Sequence, residues 1–267
     1  MKFPIYHVDA FAVQPFRGNP AAVCLLEKPR DPAWMQAVAA EMRLSETAFL
    51  SPESDGYSLR WFTPTTEVEL CGHATLASAH ILYEFGFFEP EETIHFYTAS
   101  GPITSSFNHG TIELDMPRRD PQPYQSSPLI QDILGMEPAT VMEFEGKQLL
   151  VELPSQADVE HFVPDFRKIS QLEHPDFLIT APGDGMRFDF VSRFFSPRSG
   201  IYEDPVTGMA HCILGPYWAA RLQKTKFHAY QASARGGEVW VRLGSNRVYL
   251  GGKAVTVFAG ELLHQRD

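Results

Sequence analysis

Two glycines in this chain stand beside residues that could do chemistry: Glu69, Cys71 and His73 surround Gly72, and Glu203 and Asp204 precede Gly208. Each glycine opens a strongly apolar run. A helix beginning there presents unpaired backbone N–H groups and the positive end of its macrodipole, which attract carboxylates. Glycine also lets a ligand approach the backbone closely, although it serves equally well in a tight turn. Two such starts facing one cleft would form a carboxylate-binding or enolate-stabilising site. His73, in an opening helical turn, is either a ligand contact or a structural histidine. Asp204 equally suits a turn or cap. Glu46, just before the apolar segment 47–50, is either a solvated edge charge or a carboxyl in an apolar cleft. In the second case desolvation would raise its pKa and suit it to proton shuttling.

The segments that position these residues are written twice. Arg60-Trp61-Phe62-Thr63-Pro64 leads through a loop into Gly72-His73-Ala74, and Arg193-Phe194-Phe195-Ser196-Pro197 leads through a longer one into Gly208-Met209-Ala210. Each copy reads as strand, loop and helix start. In 74–85 and 209–222 apolar residues occur all round the helical wheel, so both helices are expected to be buried on every side, with a kink at Pro216. Strands are expected at 5–13, 21–26, 47–50, 59–62, 94–98, 103–107, 111–116 and 238–243. The alternation in the last predicts one wet and one dry face. Hairpin turns are expected at Asn108-His109-Gly110 and near Glu145-Gly146. Asp31 with Pro32 predicts a capped helix start, and further helices are expected at 129–134 and around 159–172. The proline-rich stretch 117–128 reads as the linker. Fold class is therefore α+β: two pseudo-symmetric halves, residues 1–117 and 118–267, each a β-barrel-like sheet around a central buried helix, with the last residues free to return to the first.

The chain has 267 residues, 44% apolar and 21% charged, with 33 acidic against 22 basic residues and a formal net charge of -11. That balance argues against nucleic acid as a partner. Cys24, Cys71 and Cys212 form neither a disulfide framework nor a zinc pattern, and Cys71-x-His73 is too little for a metal. There is no apolar run of membrane-spanning length and no glycine-rich nucleotide motif. A soluble cytoplasmic protein without membrane partner, metal or nucleotide cofactor is expected.

The blocks Asp9-Ala10-Phe11 with Gly18-Asn19-Pro20-Ala21-Ala22-Val23, Ser45-Glu46-Thr47-Ala48-Phe49, Phe62-Thr63-Pro64, Glu69-Leu70-Cys71-Gly72-His73-Ala74-Thr75 and Glu203-Asp204-Pro205-Val206-Thr207-Gly208 together resemble the PhzF family of phenazine-biosynthesis isomerases, which has the diaminopimelate epimerase-like fold. The match runs in order over nearly the whole chain. The resemblance implies a cofactor-independent isomerase, paired as a homodimer, that moves a proton within a small unsaturated or activated carboxylic acid. It puts the acid/base glutamate at Glu46 and substrate-contacting groups at His73 and Asp204. Further substrate-binding positions fall at Asn19, Gly72, Gly208 and Met209. Met209 stands where the family commonly has serine.

Two alternatives remain at this level. One is a small-carboxylate-binding protein without turnover, which Met209 keeps open. The other is an epimerase dependent on Cys71. Two-cysteine racemases of this fold place a thiol before each helix-opening glycine, but Thr207 precedes Gly208, and Cys212 should lie in the core.

Overall fold

The computed structural model describes residues 2–108 and 110–263, and the chain divides into two compact units, Met1–Met116 with Gly251–Asp267, and Pro117–Leu250. Along the chain the first unit comprises β1 (Lys2–Ala10), β2 (Asn19–Leu25), α1 (Pro32–Met42), β3 (Glu46–Glu53), β4 (Gly56–Phe62), β5 (Glu67–Val68), α2 (Gly72–Glu84), β6 (Ile94–Thr98), β7 (Gly101–Asn108) and β8 (Thr111–Pro117). The second contains β9 (Gln122–Pro123), α3 (Pro128–Leu134), β10 (Thr140–Phe144), β11 (Gln148–Glu152), α4 (Gln156–His161), α5 (Phe166–Ile169), β12 (Asp176–Pro182), β13 (Phe190–Ser196), β14 (Ile201–Asp204), α6 (Gly208–Leu222), β15 (Lys226–Gln231), β16 (Gly237–Leu243) and β17 (Arg247–Gly252). The final strand, β18 (Ala254–Leu263), pairs antiparallel with β1.

The same succession of strand pairings occurs in both units. In the first, β2–β3 is parallel, β3–β4 antiparallel and β4–β6 parallel, with β5 returning antiparallel along β4. In the second, β11–β12 is parallel, β12–β13 antiparallel and β13–β15 parallel, with β14 returning along β13. A parallel pair needs a crossover connection, and helices supply it: α1 between β2 and β3, α2 between β4 and β6, and α6 between β13 and β15. Strands β1, β2, β3 and β18 pack on α2, while Met35 and Ala39 of α1 join Phe3, Ile5, Phe49 and Phe62 in a separate cluster. With both faces of β2 covered, its burial is nearly continuous. Helix α2 is buried from Gly72 through Ala79 and again at Ile81 and Leu82, and α6 from Ala210 through Trp218. Both central helices are thus enclosed as their patterns predict.

The return strands reveal a shared clamp. Arg60 on β4 makes a two-pronged ion pair with Glu67 on β5, at 2.6 and 2.7 Å. Arg193 on β13 does the same with Glu203 just ahead of the second helix, at 2.7 and 3.0 Å. The duplication therefore preserves a side-chain interaction as well as a strand order.

Several expectations change in detail. The strand expected to reach residue 13 ends at Ala10, because Phe11 takes a left-handed φ of 57°. The single helix expected around 159–172 is two short ones, α4 and α5: Pro164 cannot continue the first, and Asp165 caps the second by accepting from the N–H groups of Arg167 and Lys168. The proposed linker contains β9, which pairs with β10. At the Glu145-Gly146 hairpin both residues have positive φ, 50° and 64°, as the central pair of a type I′ turn requires, and the Lys147 N–H closes it on the Phe144 carbonyl at 2.9 Å. His109 of the other expected turn lies outside the described residues. The alternation over 238–243 is observed as expected: Val239 and Val241 are buried while Glu238, Trp240 and Arg242 are half-buried.

Pro216 is accommodated within α6. Proline has no N–H to give to the carbonyl four residues earlier, which here is Cys212. The Arg119 N–H donates to that carbonyl instead, at 3.2 Å. Among the described residues, no helix is long and apolar enough to cross a membrane.

Candidate active site

Three elements of the first unit converge on His73. The loop between β1 and β2 folds tightly: Gly18 has φ +62°, and a Cβ there would lie 2.0 Å from the Ala10 carbonyl oxygen. The buried Asp9 carboxylate accepts the Phe16 N–H at 2.6 Å and closes the same loop. This delivers Asn19, wholly buried, as the first residue of β2. Parallel pairing aligns Ala21 with Glu46, so Ser45 and Glu46 arrive beside Asn19. Helix α2 supplies Cys71 at its N-cap and His73 in its first turn.

The contacts define a chain of polar atoms. Ser45 Oγ lies 3.3 Å from Asn19 Oδ1, and Asn19 Nδ2 lies 3.1 Å from His73 Nδ1. On the other side of the imidazole, His73 Nε2 is 3.2 Å from Glu46 Oε2. Glu46 is only 12% exposed, so the solvated-edge reading of this carboxylate is wrong. His73 Nε2 is buried and makes no hydrogen bond among the described residues, since its approach to Glu46 is close but out of line. Burial holds the His73 pKa down to about 3, so the ring is neutral at physiological pH. The Glu46–His73 contact is therefore a carboxyl beside a neutral imidazole, not an ion pair.

Cys71 Sγ approaches the other ring nitrogen, Nδ1, at 3.5 Å. Glu46, Cys71 and His73 bring potential ligand atoms within 4.8 Å of one another. Their distribution fits a metal poorly: the thiol meets the ring at Nδ1 and the Glu46 oxygen meets it at Nε2, so an ion held by either nitrogen sits at one edge only. Nδ1 is also occupied by the Asn19 amide. The other two thiols, Cys24 and Cys212, are buried and pushed up to about 12 by that burial.

At the second helix start Asp204 is 7% exposed and Oδ2 accepts the Thr207 hydroxyl at 2.5 Å, which is the turn role its position suggested. Buried Gln231 completes this start. Its Oε1 accepts the Thr207 N–H at 2.9 Å and its Nε2 donates to the Asp204 carbonyl at 2.8 Å. Met209 is half-buried in the first turn of α6.

Helix capping separates these two starts from the rest. Asp31, Ser127, Ser155 and Asp165 cap α1, α3, α4 and α5 with side-chain oxygens. Neither α2 nor α6 has a side-chain cap. Neither Gly72 nor Gly208 is among the positive-φ glycines, so backbone strain is not what selects glycine there.

Of the residues singled out from sequence, Asn19, Glu46, Cys71, Gly72 and His73 are brought together in the first unit; Asp204, Gly208 and Met209 gather at the α6 start in the second. Glu69 is exposed, and Glu203 is committed to Arg193. Sequence reasoning gave no role to Ser45, which adjoins Glu46, or to Gln231, which no local pattern marks.

The description "Phenazine biosynthesis-like protein" belongs to a family model, PhzC-PhzF, that matches residues 8–260. A relative from Halalkalibacterium halodurans, named an uncharacterized isomerase, is 51% identical over 98% of this chain and 99% of its own length. The crystal structure of a PhzF-family phenazine biosynthesis protein from Enterococcus faecalis superposes with TM-score 0.93 at 42% identity, covering 99% of this chain and 100% of that one. In fold alone, a predicted epimerase from Pseudomonas aeruginosa is similar at TM-score 0.75 and 21% identity, covering 98% and 99% of the two chains. The mixed α+β architecture is thus the diaminopimelate epimerase-like one, and the chain belongs to the phenazine biosynthesis-like (PhzC-PhzF) family as one of its isomerases.

Proposed function

We propose that this isomerase moves a proton within a small unsaturated or activated carboxylic acid, with Glu46 as its single acid/base and without a cofactor. The observation that carries the reading is the pairing of an almost enclosed Glu46 carboxylate with the buried, unused Nε2 of a neutral His73, 3.2 Å apart. A neutral imidazole donates one hydrogen bond and keeps it through the cycle, so it suits the stabilisation of a developing anion. Proton transfer then falls to the carboxylate.

In the forward step Glu46 takes a proton from a carbon next to the unsaturated system. The C–H electron pair delocalises toward the substrate carboxylate, held by the His73 Nε2–H and the uncapped N–H groups at Gly72 and His73. The protonated Glu46 then returns its proton to the far carbon on the same face, and the double bond shifts. Nothing is oxidised or reduced, and the enzyme ends as it began.

On the family resemblance, Asp204 and the backbone at Gly208-Met209 serve as further substrate contacts, with Asp204 using lone pairs beyond the one that accepts from Thr207. Met209 in place of a hydroxyl side chain points to a less polar substrate substituent than the family commonly binds. A cytoplasmic homodimer is part of the same reading, and sedimentation should give twice the mass of the chain.

Incubation of candidate acids in deuterated water tests the proposal. The wild type should place deuterium at the reacting carbons, and Glu46→Gln should not. Equal incorporation by both would remove Glu46 from the role, while tight binding without incorporation by the wild type would favour a carboxylate-binding protein. A Cys71-dependent epimerase has one supporting contact, the 3.5 Å approach of the thiol to His73 Nδ1; full activity in Cys71→Ala would remove it.

A further inference from the structure

We infer that Asn19 and Ser45 act as positioning residues that fix His73 in the tautomer protonated at Nε2, so that its proton, beside Glu46, is left for the substrate. This rests on the acid/base role proposed for Glu46 and adds to it. The family resemblance places Asn19 in contact with substrate, and its amide also meets a histidine and a serine.

The wiring starts at Ser45. Its hydroxyl donates to Asn19 Oδ1 at 3.3 Å, with the NH₂ end of the same amide toward His73 Nδ1 at 3.1 Å. An amide NH₂ only donates, so Nδ1 accepts, and in a ring that burial keeps neutral the hydrogen then sits on Nε2. Nε2 lies 3.2 Å from Glu46 Oε2, close but out of line for a hydrogen bond, which leaves that hydrogen for a substrate. The Cys71 thiol, at 3.5 Å from Nδ1, is compatible only as a second and weaker donor.

Such wiring prevents a specific failure. If Nδ1 held the proton, Nε2 would meet any substrate anion with a lone pair, and the donor needed for charge stabilisation would be lost. Burial of Asn19 and His73 makes the arrangement firm, because an amide or imidazole without its partner is costly there.

Nitrogen-15 NMR of protein labelled at histidine reads the tautomer directly, since protonated and unprotonated ring nitrogens have well-separated shifts. Wild-type His73 is expected to show a protonated Nε2 and an unprotonated Nδ1 at neutral pH. Asn19→Asp replaces the donor with an acceptor; it should move the proton to Nδ1 or protonate both nitrogens, and lower kcat by on the order of 10²-fold. Ser45→Ala removes the donor to the Asn19 amide oxygen and should weaken the preference for the Nε2-protonated tautomer with a smaller loss of kcat, a test that stands where Asn19→Asp does not fold. A protonated Nδ1 in the wild type overturns the inference. So does Asn19→Asp that loses turnover while His73 keeps its wild-type tautomer, a result that would return Asn19 to substrate contact. If instead the tautomers behave as stated and Glu46→Gln still exchanges solvent deuterium, the wiring stands and the proton-transfer role fails.

Discussion

The starts of the two central helices, at Gly72 and at Gly208, occupy equivalent places in a duplicated plan and are used in opposite ways. Each follows a strand that carries an arginine clamped to a glutamate, each lacks a side-chain cap, and each has a buried histidine in its opening turns. His73 directs its ring outward from its helix, with Nδ1 meeting Asn19 on another strand, while Nε2 of both His73 and His211 is buried without a hydrogen-bond partner among the described residues. His211 directs its ring inward: Nδ1 lies 2.9 Å from the Thr207 carbonyl of its own helix, which can only accept, so that nitrogen carries the proton. Thr207 is itself held by Asp204 and Gln231. Duplication preserved the scaffold and the anion-attracting helix ends. The groups proposed for acid/base work, Glu46 and His73, gather at one copy.

Substitutions at the two starts should separate accordingly. Glu46→Gln is expected to have the largest effect, on the order of 10³-fold or more in kcat. Asp204→Asn should cost less and act mainly on KM; a larger kcat loss at Asp204 than at Glu46 would break the assignment of roles.

Next come the arginine clamps. Arg193 is 8% exposed and also donates to the carbonyls of Val159 and Phe162, so Arg193→Met strands a half-buried carboxylate and two carbonyls and should cost about 3 kcal/mol in a denaturant melt. Its exposed counterpart should give about 0–1 kcal/mol for Arg60→Met. Equal losses would mean that the copies are energetically alike after all.

The histidines give a pH signature. Burial lowers the His73 pKa to about 3 and that of His211 to about 4, from an unfolded value near 6.5. Below 6.5 the unfolded chain binds protons that the folded one refuses. The stability from both groups is therefore complete above that pH and is lost as pH falls toward 4 and then 3. A tenfold difference in proton affinity between the folded and unfolded chain corresponds to about 1.4 kcal/mol. Melts of His211→Gln and His73→Gln between pH 7 and 4 should each be less pH-dependent than the wild type, with turnover at neutral pH falling much further for His73→Gln.

The smallest effect is expected from Cys71→Ala, whose thiol only seconds the Asn19 amide. It should leave kcat nearly unchanged; a large loss would make this thiol the first copy's true reactive group.

Much of this molecule can be read in its residues, for identifiable reasons. The paired strand–loop–helix segments are local and repeat in order, so they announce two halves, and the absence of a polar stripe announces two enclosed helices. Glu46, Cys71 and His73 stand out because their residue types and glycine context are unusual. Long-range partners do not announce themselves this way. Gln231 ends a strand remote in sequence from Asp204, and nothing near it signals that its amide will hold the second helix start. The clamps are not legible either: Glu203 stands out beside Gly208 but Glu67 does not, because the return loops differ in length, which hides their equivalence. The break between α4 and α5 was legible in Pro164, but the apolar residues on either side suggested continuity.

The hydrogen bond from Arg119 to the Cys212 carbonyl changes what the proline-rich stretch is for. Residues that read as a tether act as a splint on the one central helix that contains a proline. The two halves therefore do not separate cleanly at the middle of that stretch. A chain cut just before Pro117 leaves the splint with the helix that needs it, whereas a cut after Asp120 strips it away and exposes an orphan carbonyl inside the second fragment, at about 1–3 kcal/mol. Any ancestor that carried a single copy of this fold, and any attempt to rebuild the protein from fragments, meets that asymmetry at the junction.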